Sequence, residues 1–145
     1  MKKTLILCIL FIGIGFLLGK YLFVEEESIE KYYFLQEGIY QDKNIFENNL
    51  TNLKQKVMEY KNNRVYVYTA ITKDYEIAER IQKIYEKQNI NLSIEEVYLP
   101  SEELKVNVEQ FDLLIKKSTS EEEILKIQEV VLANYEEIIK NKEDF

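Results

Sequence analysis

The sequence predicts an α+β fold: a four-stranded antiparallel sheet of βαββαβ order with two helices on one face, one transmembrane helix before it and two helices after it. Three observations carry this. An uncharged, apolar run fills the N-terminal region. Segments alternating with a period of two and segments with a helical period follow one another over residues 32–99. After Pro100 only helical periodicity remains.

Lys2 and Lys3 precede Thr4–Gly19, which is rich in Leu, Ile and Phe, and Tyr21-Leu22-Phe23 continue it past Lys20. Thr4 to Phe23 is 20 residues, enough for a helix to cross a bilayer core. Lys20 can snorkel to the interface, and the basic N-terminus favours the cytoplasmic side, so the rest of the chain is expected outside the cell membrane. A cleaved signal peptide is the alternative, but no small residues stand where cleavage would need them. Residues 1–23 are therefore read as a single-pass anchor and 24–31 as a charged linker. Gly15 and Gly19 form a G-x-x-x-G pair of the kind that lets helices approach closely.

Lys31 to Tyr40 is aromatic and reads as the first strand. A helix carrying Phe46, Leu50 and Leu53 is expected next. Val57 to Lys61 and Arg64 to Thr72 read as two strands joined at Asn62-Asn63, two residues that tolerate the positive φ angles of a type I′ turn; Val57 to Tyr60 could instead extend the helix. Residues 73–90 have one apolar face, Ile77, Ile81, Ile84 and Tyr85. Residues 92–99 form the last strand, ended by Pro100. This is the split βαβ, ferredoxin/RNP-like order, which places both helices on one face and leaves the other open. Residues 100–145 read as a helical hairpin with stripes Leu104/Val108/Phe111/Ile115 and Ile124/Ile127/Val131/Tyr135/Ile138. Ser118 to Glu123 offers capping boxes between them. The stripes are too apolar to stay wet, so they are expected to pack on the sheet domain or on a partner.

The net charge is −7, and beyond the anchor 16 basic face 26 acidic residues, a balance of −10. Such a surface repels phosphate backbones and argues against nucleic acid as a partner. There is no histidine, and the single cysteine, Cys8, lies in the apolar run. Imidazole catalysis, Cys/His zinc sites and thiol chemistry in the outer domain are excluded, and no motif for carboxylate chemistry, a cofactor or a metal is present. The chain is read as a non-enzyme.

The first strand ends Gln36-Glu-Gly38-Ile-Tyr40, similar to a Q-x-G-x-F/Y motif. Val67-Tyr-Thr-Ala-Ile-Thr72, followed by a helix with Ala78 early in it, is similar to a V-x-V-G-x-F/T passage. With the anchor-then-domain layout, residues 32–99 resemble a SPOR domain, the bacterial sporulation-related repeat, in a form like that of low-GC Gram-positive bacteria. The sequence departs from the family at Ala70, where a glycine is usual, and at Ile39, where a small residue is usual. The resemblance implies no catalysis. It implies binding to peptidoglycan glycan strands stripped of peptide stems, at a division or sporulation septum.

Alternation puts Tyr66 and Tyr68 on one strand face and Val65, Val67 and Thr69 on the other. Register through the Asn-Asn turn sets Glu59 opposite Tyr66 and Val57 opposite Tyr68, with Met58 and Tyr60 joining the valines in the core. Gln36 and Phe34 share a face in the first strand, with Leu35 turned to the helices. The open face would thus present Phe34, Gln36, Tyr66 and Tyr68, rings to stack on sugars and an amide to bond hydroxyls. Gly38 and Tyr40 are read as structural. The alternative to a glycan site is a scaffold that binds another cell-envelope protein through the sheet face or the C-terminal helices.

Overall fold

The structure is a computed structural model that describes residues 28–41 and 53–143. Its elements are β1 (Glu30–Tyr40), β2 (Val57–Lys61), β3 (Arg64–Thr72), α1 (Tyr75–Glu86), β4 (Ser93–Leu99), α2 (Glu102–Lys117) and α3 (Glu121–Glu143). The four strands form one sheet in the order β2-β3-β1-β4, every neighbouring pair antiparallel. The class is α+β, with a sheet order that matches the split βαβ arrangement. The expected anchor at 1–23, and Phe46 and Leu50 of the expected first helix, lie outside the described residues. Among the described residues no helix is long and apolar enough to cross a membrane.

Local chemistry accounts for most boundaries. Asn62 and Asn63 take φ of 51° and 61°, the double positive φ that lets a two-residue turn follow the twist of the strands. The resulting register sets Glu59 opposite Tyr66 and Val57 opposite Tyr68, as alternation predicts, and makes Val57–Lys61 a strand. The Asp74 carboxylate accepts from the amides of Glu76 and Ile77, closing the first turn of α1. Ser101 does the same for α2 through the Leu104 amide. Ser120 accepts from the Glu123 amide at α3, while the Glu123 carboxylate takes the Ser118 hydroxyl. Met58 and Tyr60 correct the expectation for the core. They share the face of Val65 and Val67 but stay exposed, because β2 is an edge strand and α1 lies over β3, β1 and β4.

Two bulges sit opposite each other in the central strands. Leu35 pairs with Ala70, Gln36 with Tyr68 and Gly38 with Val67, so Thr69 is the extra residue in β3 and Glu37 the extra one in β1. Each bulge shifts the alternation by one, and together they restore register. Ala70 consequently joins the α1 side and Ile71 the opposite side. The β1 bulge has its own clamp. The Tyr40 hydroxyl donates to the Glu37 carboxylate (2.7 Å to Oε2), and its ring crosses Gly38, where a Cβ would lie 3.0 Å from a ring carbon. Gly38 and Tyr40 thus meet within the β1 bulge, where Gly38 allows the close approach of a ring.

The expectation of an open second face is corrected. On one face Leu35, Val65, Val67 and Ala70 meet Ile77, Ala78, Ile81, Ile84 and Tyr85 of α1. On the other, Tyr32, Phe34, Val57, Tyr68 and Ile71 meet Leu104 and Val108 of α2 and Val131, Leu132 and Tyr135 of α3. Ile115 and Ile124, which flank the α2–α3 turn, belong to the α1 side. The hairpin therefore passes from one face to the other along an edge of the sheet. It passes where β2 stops. β2 pairs with β3 only as far as Tyr68, and beyond it the Gln128 Oε1 accepts the Ile71 amide at 2.9 Å, in a site with no solvent exposure. A helix side chain takes the place of the missing strand.

Polar tethers hold the crossing. Asp112 of α2 accepts the Lys73 amide (2.9 Å) and bonds the Thr72 hydroxyl (2.7 Å). Arg80 of α1 donates to the carbonyls of Ile115 and Ser118 at the end of α2. Lys116 pairs with Asp74, Lys87 with Glu121, and Lys73 with Glu30 and Glu109. Burial pushes the Asp112 carboxyl up to about 6, against the lowering effect of its bonds to Thr72 and Lys73.

Replacing Gln128 by Leu keeps the bulk and removes the acceptor, leaving the Ile71 amide buried without a partner. The expected loss is about 1–3 kcal/mol by urea unfolding. Asp112 gives a pH test. Its folded pKa lies above its unfolded value, so the folded state holds the extra proton between them. Its contribution is then greatest below about pH 4 and is lost as pH rises through about 6. Asp112→Asn keeps an acceptor for the Lys73 amide and removes the titrating group, with the Thr72 bond reversed so that the hydroxyl accepts from the new amide. Relative to wild type, the variant should gain on the order of 2–3 kcal/mol in stability between pH 4 and 7. A constant difference across that range would refute the assignment.

Candidate functional site

The four residues predicted to form a glycan platform do come together on the second face. Phe34 meets Tyr68 edge to face at 4.9 Å between ring centroids and meets Tyr135 of α3 in the same way at 5.1 Å. Tyr66 stacks on Tyr68 at 6.4 Å with 21° between the ring planes. Gln36 is the register partner of Tyr68. The grouping follows from alternation along β1 and β3, with the paired bulges keeping both strands in phase.

Their accessibility differs from the expectation. Phe34 is 0% and Tyr68 3% exposed, since α2 and α3 lie over them. Burial pushes the Tyr68 hydroxyl above its ordinary range. In this arrangement the two rings are core, and a sugar cannot stack on either. Gln36 and Tyr66 remain half-buried at the end of the covered face, beside exposed Ile39, the register partner of Tyr66. Lys61 sits 6.0 Å from the Tyr66 ring centroid. Of the two departures from the SPOR pattern, Ile39 therefore borders this margin. Ala70 is buried toward α1, away from it.

One cavity of about 190 Å³ lies near the start of α2 and the end of α3, lined by Glu59, Leu99, Leu104, Tyr135, Ile138 and Lys142 among others. Of its two carboxylates, Glu59 and Glu143, the first is already committed: Glu59 accepts the Tyr135 hydroxyl at 2.9 Å and pairs with Lys61 at 2.8 Å. A wider groove of about 420 Å³ runs between α1 and the start of α3, past Gln55, Tyr85, Gln88 and Lys126. Gln55 there donates to the Leu125 carbonyl, and Lys126 pairs with Glu122. Among the described residues no cluster of three or more His, Cys, Asp or Glu is placed to hold a metal ion.

A second set of apolar residues lies outside the inner stripes. Val106, Leu113 and Leu114 of α2 are 44%, 59% and 52% exposed, and Val130 of α3 is exposed as well. They lie off the buried stripes, on helices whose inner faces are already filled. The signal for them was the i, i+7 pair Val106/Leu113 amid charged neighbours.

The buried rings separate two accounts by stability. Phe34→Ala should cost about 3–5 kcal/mol by chemical denaturation, the usual range for a core Phe, and Tyr68→Ala a comparable amount. Tyr66→Ala, at the half-exposed end, should cost far less. If Tyr68→Ala unfolds at the wild-type midpoint, the face is open in solution.

Comparison of the chain with protein-family models, with curated proteins and with solved structures found no match.

Proposed function

We propose that this chain is a non-catalytic interaction module of the cell envelope, tethered to the membrane by residues 4–23 and docking a protein surface through the outer side of α2 and α3. The observation that carries the reading is the exposed apolar set Val106, Leu113, Leu114 and Val130 on helices already committed to the core. Exposed apolar side chains grouped within polar surroundings mark contact surfaces. The basic N-terminus before the apolar run supports an outward-facing domain. The absence of histidine and of any cysteine beyond Cys8 supports a binding role over a catalytic one.

A second reading, binding to denuded peptidoglycan at a division or sporulation septum, is favoured by one observation. Gln36 and Tyr66 keep part of their surface at the margin of the covered face. They offer an amide and a ring there, though without the buried pair Phe34 and Tyr68.

The full chain in detergent, tested on insoluble sacculi before and after amidase removal of stem peptides, distinguishes the two. The interaction reading expects no retention on either, together with a protein adduct in cells when a photoreactive residue replaces Leu114. Retention on denuded sacculi that Gln36→Ala abolishes, with no adduct at 114, would establish the glycan reading instead.

A further inference from the structure

The outward side of α2 carries a second periodic stripe: Glu103, Val106, Gln110, Leu113 and Lys117, at spacings of 3, 4, 3 and 4. All five are exposed, and they lie opposite the buried Leu104, Val108, Asp112 and Ile115. Alternating 3 and 4 is the spacing of a helix seam that meets another helix along its length.

From this stripe we infer that the surface docked on α2 is α2 of a second copy of this chain, packed antiparallel about a two-fold axis at Gln110. The stripe is self-complementary in that direction. Val106 of one copy meets Leu113 of the other, twice, and the two Gln110 amides face each other, each able to donate and accept. Glu103 meets Lys117 at both ends. The charges along α2 support the same order, with Glu102 and Glu103 in the first turn and Lys116 and Lys117 in the last. A parallel pairing would set Glu103 on Glu103 and Lys117 on Lys117, so charge selects the antiparallel one. Among the described residues Glu103 only accepts from Asn134 at 3.4 Å, and Lys117 makes no ion pair. Leu114, exposed on the same helix, flanks the seam.

The size of the surface says how such a pair would behave. A 16-residue helix is about 24 Å long. One helix face falls short of the roughly 1,200–2,000 Å² buried in stable stand-alone complexes. The pair is then weak in dilute solution and forms where the chains share a membrane, which raises their effective concentration. The inference rests on the anchored interaction module proposed above and names its partner. With both anchors in one bilayer, the two-fold axis stands along the membrane normal and the paired helices lie parallel to the surface.

The test uses the full chain in membranes, with Cys8→Ser and a single new thiol. Gln110→Cys lies on the axis and should link to itself through a short bismaleimide. Glu79→Cys, also exposed but on α1, should link at least about fivefold less. Adding Lys117→Glu to Gln110→Cys should lower the yield, and further adding Glu103→Lys should restore it. A fold defect would not be rescued in this way. Linking at 110 no faster than at 79, or a charge swap that fails to restore it, overturns the self-pairing. In that event a photoreactive residue at 110 decides the parent reading: an adduct with a different protein keeps the interaction module, and no adduct removes both.

Discussion

Everything on the second face follows from one short strand. β2 begins at Val57, opposite Tyr68, and among the described residues the last residues of β3 have no strand neighbour on that side. An unpaired stretch in a central strand is costly when buried and a liability when exposed. Gln128 resolves it by accepting the Ile71 amide from within α3. That bond fixes where the helical hairpin crosses the edge. The crossing then decides that Leu104, Val108, Val131 and Tyr135 cover Phe34 and Tyr68. Asp112 and Arg80 hold α2 to the corner between β3 and α1, so the hairpin is integral to the domain and does not behave as an appendage.

Covering the second face changes what the aromatic residues do. Phe34, Tyr66, Tyr68 and Tyr135 form a run of ring contacts, three of them within the packed interior. Rings in such contacts contribute to packing beyond their buried area. Outside the core, Val106, Leu113, Leu114 and Val130 stay exposed on α2 and α3, as do Ile39, Met58, Tyr60, Tyr75 and Tyr98 elsewhere.

Much of this was legible in the sequence, and particular residues show why. Asn62-Asn63 marked the turn, and the turn fixed which residues face each other across β2 and β3. Strict alternation then separated Tyr66 and Tyr68 from Val65 and Val67. The helical stripes were visible too, but a stripe reports that a face is buried without saying against what. Gln128 could not be singled out, because a polar residue inside an apolar stripe carries no sequence signal of the amide it serves. The bulges at Glu37 and Thr69 were hidden for a related reason. Alternation slips by one at each, and only the pairing of the two strands shows that the slips cancel. Tyr68 was therefore assigned to the right face, and its burial depended on residues of α2 and α3, far along the chain.

Amide hydrogen exchange at Ile71 in the intact protein tests the closed edge most directly. Ile71 bonds a side chain of α3 and not a strand, so its protection reports the seating of the hairpin. Exchange of Ile71 only through global unfolding, at the rate of the Leu35 and Val67 amides, is the expected result. Exchange at the rate of an open edge strand, with Leu35 and Val67 still protected, would mean that the hairpin leaves the sheet and that the second face is free in solution.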